Sequence, residues 1–272
     1  MRTNRLLAVT VLSVLGVTGL TACNSGGGDD KKGDAAPAAS APASASAAAS
    51  EPAAGGGLEK LTVAEITAKS RAAGAKLTSA KLVAKVTQEG TTMSASVAAD
   101  SSGNCTGTIG IEGKGTADVR RTADKVWVKP DAEFFATVIP NGDTPAAQKL
   151  VGKWLASSKA DDIANFAEFC DMALTMQTKI GLNDDGTPDN TGTKSGTKKV
   201  DGIDAILIVG KDDDGKPVDA TIAAEGEPYL LTVDDEAVNS MKFSDFNEPV
   251  QVTAPAADQV IDLKSFGGAA KS

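Results

Sequence analysis

Apolar and polar residues alternate with a period of two along much of the chain after residue 80. Leu82, Ala84 and Val86 share one side against Lys81, Lys85 and Thr87. Met93, Ala95, Val97 and Ala99 oppose Thr92, Ser94 and Ser96, and Cys105, Gly107, Ile109 and Ile111 oppose Thr106, Thr108 and Glu112. Successive side chains of a strand point to opposite faces, so three half-buried antiparallel strands are predicted in sequence order. Shorter runs over 117–122, 125–129, 153–156, 197–200, 203–209, 217–224, 229–233 and 240–244 bring the number of strands to about eleven. Turn residues at 213–216 and 225–227 separate three of them.

Helical spacing interrupts this pattern. Thr62 and Glu65 have the spacing of a capping box, which predicts a helix over 63–73 ending at Gly74, with Val63, Ile66, Ser70 and Ala73 turned inward. Further helices are predicted over 131–138, 146–151 and 161–177. In the last of these, Ile163, Phe166, Cys170, Ala173, Leu174 and Gln177 fall on one side at 100° per residue. Helices covering one side of a long antiparallel sheet make an α+β fold.

The first residues follow neither period. Arg2 and Arg5 precede an apolar run over 6–20, and Leu20-Thr21-Ala22-Cys23 resembles the bacterial lipobox, in which lipid is attached to the cysteine and the signal peptide is cut before it. Fifteen helical residues span roughly 22 Å, short of a hydrocarbon core of about 30 Å, so a permanent membrane helix is the weaker reading. The lipobox resemblance implies a thioether-linked diacylglycerol on Cys23, with palmitate as a third, amide-linked chain. Two or more acyl chains hold a protein on a membrane where one does not. The competing reading is an ordinary secretory signal that contains a cysteine.

Residues 24–57 are almost wholly Ala, Gly, Ser and Pro with a few charges, and such a stretch cannot bury enough apolar surface to offset its ordering entropy. As a coil it spans roughly 30 Å. The predicted organisation is therefore a signal peptide over 1–22, a lipidated N-terminus and linker over 23–57, one folded domain over 58–266, and a tail over 267–272.

The chain has 27 Lys+Arg against 36 Asp+Glu, a net charge of −9, and no basic block. Nucleic acid is a poor partner for such a chain, and attachment to an anionic membrane must come from acyl chains. The sequence contains no histidine, which excludes Ser-His, Cys-His and His-metal arrangements together.

The remaining chemical signals fail on spacing. The glycines at 110, 113 and 115 around Lys114 lack the residues a Walker loop needs at 108 and 115. Ser195-Gly196-Thr197-Lys198 fits S-x-x-K but lies in a Gly/Thr-rich segment without a helix to aim the serine. The acidic runs at 183–186 and 212–214 lack the first and twelfth ligands of a calcium loop. No catalytic residue, cofactor or metal site is assigned. Trp127, between Lys125 and Lys129, is read as either a ligand contact or a cross-strand packing residue.

Giving Cys23 to lipid leaves Cys105 and Cys170, an even number in an exported chain. Both lie on apolar faces and a disulfide between them is expected, the alternative being two buried free thiols. Inward strand positions alternate large with small residues, as in Val218, Ala220, Ile222 and Ala224. Such a sheet either leaves an apolar cavity or closes up around abundant alanine.

From residue 118 onward the chain resembles the LppX/LprAFG lipoproteins of actinobacteria, whose fold is similar to that of the LolA/LolB lipoprotein carriers. The resemblance rests on Lys125-Val126-Trp127-Val128-Lys129, Val200-Asp201-Gly202, Glu227-Pro228-Tyr229-Leu230-Leu231, and residues 243–250 running into Ala254-Pro255. It implies a curved antiparallel half-barrel of about eleven strands with helices packed on its concave side, and an apolar cavity for lipid or glycolipid acyl chains. It also implies a non-enzymatic binder or shuttle, monomeric, lipid-anchored on the extracytoplasmic face of the cell membrane, with a membrane transporter as a further partner. On this reading Val86, Val97, Ile109, Val119 and Ile222 contact acyl chains. The competing reading is an interaction or sensor lipoprotein of the same fold, with a filled core, that docks to a membrane or cell-wall partner.

Overall fold

In the computed structural model the alternating segments pair into one open, curled sheet. The described residues are 57–138, 142–157, 168–183, 185–189, 191–211, 215–235 and 239–262. The predicted signal peptide, Cys23, nearly all of the linker and the tail lie outside them. Every described residue falls within one compact unit, Ser50–Ser272.

The strands are β1 (Ser79–Gln88), β2 (Thr91–Asp100), β3 (Cys105–Ile111), β4 (Thr116–Arg121), β5 (Val126–Pro130), β6 (Trp154–Ser157), β7 (Thr193–Val200), β8 (Ile203–Lys211), β9 (Pro217–Ala223), β10 (Leu230–Asp235), β11 (Ser240–Ser244) and β12 (Val260–Asp262). Their spatial order is β12-β6-β5-β4-β3-β2-β1-β11-β10-β9-β8-β7. Hairpins build each half of the sheet, and the two halves meet where β1 pairs with β11, Leu82 opposite Phe243. All pairings are antiparallel except β12 with β6. The sheet thus has twelve strands against about eleven predicted. Three residues are too few to show a period, and β12 follows a loop with no strand signal of its own.

The helices are α1 (Val63–Gly74), α2 (Ala132–Val138), α3 (Pro145–Gln148) and α4 (Glu168–Lys179). The capping box forms as predicted: the Glu65 backbone N–H donates to Thr62 Oγ1, and Thr62 N–H donates to Glu65 Oε2 at 2.8 Å. Residues 161–167 of the predicted long helix lie outside the described set. α4 packs on β1 and β2, and α1 packs on α4. The buried face of α1 is Ile66, Thr67, Ser70, Ala73 and Gly74, close to the predicted stripe. The architecture is an α+β half-barrel.

The main core lies between the helices and the inner face of the sheet. It includes Ile66, Leu82, Val97, Ile109, Val119, Val128, Phe134, Cys170, Ile206, Ile222, Leu230 and Phe243. A smaller cluster of Ala205, Ala223 and Leu231, packed by Val200 and Phe246, sits apart from it. Trp127 lies on the opposite strand face from Val126 and Val128, opposite Arg120 on β4, and is therefore a packing residue of the outer face. The Arg120 guanidinium lies 4.4 Å above the Trp154 ring and donates to Thr253 O at 2.9 Å. That contact holds the C-terminal strap on its way from β11 to β12.

Candidate functional site

The site is set by the placement of α4. At its N-terminal end Cys170 is bonded to Cys105 of β3, with a Cα–Cα distance of 5.9 Å. Arg121, which pairs across from Cys105, donates to Asp171 Oδ1 at 2.7 Å. Near the other end Gln177 is fully buried; its amide donates to Leu230 O at 2.9 Å and accepts from Leu230 N–H at 3.0 Å. Leu230 borders a β-bulge in the β9–β10 pairing, where one strand has an extra residue and ladder partners run short. A helix side chain supplies them.

α1 is latched over the same end. Arg71 donates to the carbonyls of Ile180 and Gly181 at 2.7 and 3.3 Å, taking up acceptors that the end of α4 leaves free. The close approach requires glycine twice. A Cβ on Gly74 would lie 2.4 Å from Gln177 O, and one on Gly181, at φ +65°, would lie 2.7 Å from Thr67.

Beneath this latched end lies a pocket of about 310 Å³. Its apolar surface comes from Ile208 of β8, Val218 and Ala220 of β9, Leu230 and Val233 of β10, and Met176 of α4. Polar groups of Thr67, Lys179, Asn183, Asp189 and Lys211 line the rest. A second hollow, of about 540 Å³, lies where the described chain begins and is bordered by Lys69, Lys76 and Glu227 as well as apolar groups.

The five positions expected to touch acyl chains lie elsewhere. Val97, Ile109, Val119 and Ile222 are 0–4% exposed and belong to the packed core, while Val86 is half-buried on β1; none of the five lines the pocket. Ile222 is closest in sequence, two residues beyond Ala220 on the same face of β9. The disulfide expectation is met. Sequence reasoning passed over Met176, Ile208, Leu230 and Val233 as lining residues. Their signal was present in the apolar faces of two strands and a helix, but the choice among faces depends on where α4 lies.

Carboxylates held below the ordinary range serve caps and turns. At Asp131 burial works against the charge but is outweighed by hydrogen bonds from Phe134 N–H and from the Thr116 N–H and hydroxyl. At Glu65 the hydrogen bonds of the capping box do the same, and at Asp185 those of Thr187. Among the described residues no group of three His, Cys, Asp or Glu is placed to hold a metal ion, and no helix is long and apolar enough to cross a membrane.

Fold and pocket together define the class: an open α+β half-barrel with an apolar hollow under its helices. No family model and no curated protein matches the sequence. Solved structures with a similar fold include LprF from Mycobacterium bovis, at 15% identity and TM-score 0.48, covering 71% of this chain and 97% of that one. They also include the MucA/MucB complex of Pseudomonas aeruginosa, at 12% identity and TM-score 0.28, covering 72% of this chain and 59% of that one. A putative outer membrane lipoprotein-sorting protein domain from Vibrio parahaemolyticus matches at 10% identity and TM-score 0.21, covering 72% and 95%.

Proposed function

We propose that this chain is a lipoprotein, cut before Cys23 and held by acyl chains on that residue at the extracytoplasmic face of the cell membrane. Its domain over 58–266 binds a lipid or glycolipid and shuttles it within the envelope. Transfer is non-covalent and needs no catalytic group. The linker over 24–57 gives the domain a reach of roughly 30 Å from its anchor. The observation that carries this reading is the pocket between α4 and strands β8–β10, whose floor is apolar. A volume of about 310 Å³ lies at the small end of ligand sites, which run from roughly 300 to 1,000 Å³.

A second reading has one observation in its favour. The inner face of β1–β4 is filled, with Leu82, Val97 and Val119 at 0–1% exposure, as a docking or sensing lipoprotein with a solid core would have it. One experiment separates the two. The full chain, purified from a related host and extracted with organic solvent, is expected to release close to one lipid per chain by mass spectrometry. The Ala220→Leu variant, which fills the floor, is expected to release several-fold less while keeping its circular dichroism. A folded chain that carries no lipid and takes none up in vitro overturns the carrier reading in favour of the second.

A further inference from the structure

Two cations border the pocket, and neither forms an ion pair among the described residues. Lys179 is in the last turn of α4 and Lys211 ends β8; both side chains are exposed and both residues line the pocket. Lysine in a last helical turn ordinarily offsets the partial negative charge of the free carbonyls there. Here Arg71 takes the Ile180 and Gly181 carbonyls just past the helix, and among the described residues no side-chain hydrogen bond engages Lys179. Ion pairs among the described residues engage Lys81, Arg121, Lys199 and Lys242, and none engages Lys179 or Lys211. Asp189 also borders the pocket, but its Oδ1 accepts from the Thr191 N–H and hydroxyl at 2.8 and 2.7 Å. The described rim thus carries two cations against the single carboxylate of Asp189.

We infer that the lipid taken by this pocket is a phosphate-bearing one with a single buried acyl chain, its phosphate held at the mouth by Lys179 and Lys211. The inference rests on the carrier reading and adds the ligand's class to it. The small volume limits the buried part to one chain, and the apolar floor takes the hydrocarbon. The amide of Asn183 stands at the same rim, where one of its N–H groups donates to Thr187 Oγ1 at 3.0 Å and the other is a further donor. Two charge-assisted contacts at the mouth correspond to a preference of about tenfold or more over a neutral headgroup. A gain of that kind weakens as salt is raised.

The test measures binding of the full chain to palmitoyl lysophosphatidylglycerol and to monopalmitoylglycerol by native mass spectrometry. The proposal expects the phospholipid to bind at least about tenfold tighter. It also expects the Lys179→Gln/Lys211→Gln double variant to lose that preference while keeping its affinity for monopalmitoylglycerol. Lys85→Gln, on the outer face of β1, should change neither. Equal binding of the two lipids overturns the headgroup assignment and leaves the pocket reading standing. Binding of neither overturns both. Loss of the preference on adding millimolar inorganic phosphate, at constant ionic strength, would show that free phosphate rather than a lipid headgroup is the rim's ligand, and would overturn the lipid assignment.

Discussion

Gln177 shows how one residue can matter to both fold and site. A sequence reader places it on the inward stripe of a helix, where a polar side chain looks like a flaw. In the structure both its amide groups are spent on Leu230, whose backbone lies at a bulge and forms part of the pocket floor. Replacing it by leucine keeps the volume but leaves a buried N–H and C=O unpaired, at about 1–3 kcal/mol each. Gln177→Leu should therefore lower unfolding free energy by roughly 2–5 kcal/mol in urea titration. A loss under about 0.5 kcal/mol would mean that water replaces the amide. No sequence rule pairs a helix glutamine with a strand bulge more than fifty residues away. The capping box at Thr62 and Glu65 is legible because its partners are three residues apart.

Among the elements, the strands were the most readable, because half-buried antiparallel strands alternate and the alternation survives any rearrangement of loops. What stayed hidden is position. Val97, Ile109 and Val119 are inward as expected, yet they are packed into the core, and a helix's amphipathic stripe does not say which strands it lies across. The motif over 243–250 is legible as a signature, and the structure gives it a packing role. Asn247, at φ 63°, accepts from the Thr78 N–H and hydroxyl and donates to Tyr229, whose ring stacks 4.6 Å from Phe246. It fastens the strap rather than a ligand. The disulfide fixes α4 at one end only. Replacing Cys105 and Cys170 by serine removes a constraint on residues 65 apart in sequence, at up to about 4 kcal/mol in the chain-entropy account. Hydrogen exchange should quicken first in the N-terminal turn of α4, while amides near Leu230, still held by Gln177, stay protected. Uniform loss of protection along α4 would show that the two ends are not independently fastened.

At the scale of the whole molecule, the two halves of the sheet differ in what lies against them. Both halves contribute to the main core, but the inner face of β1–β4 is filled, whereas the pocket forms on the other half, over β8–β10 beside the end of α4. The resemblance of the motifs and the apolar strand faces led to a cavity lined by Val86, Val97, Ile109, Val119 and Ile222, and the pocket described here has other lining residues. The central claim is that lipid enters between α4 and β8–β10, and a photoactivatable acyl lipid tests it directly. After loading into the full chain, irradiation and proteolysis, peptides containing Met176 of α4 and those from β8–β10 should carry the label. Labelling confined to β2–β4 around Val97 and Ile109, or no labelling of the domain, would contradict it.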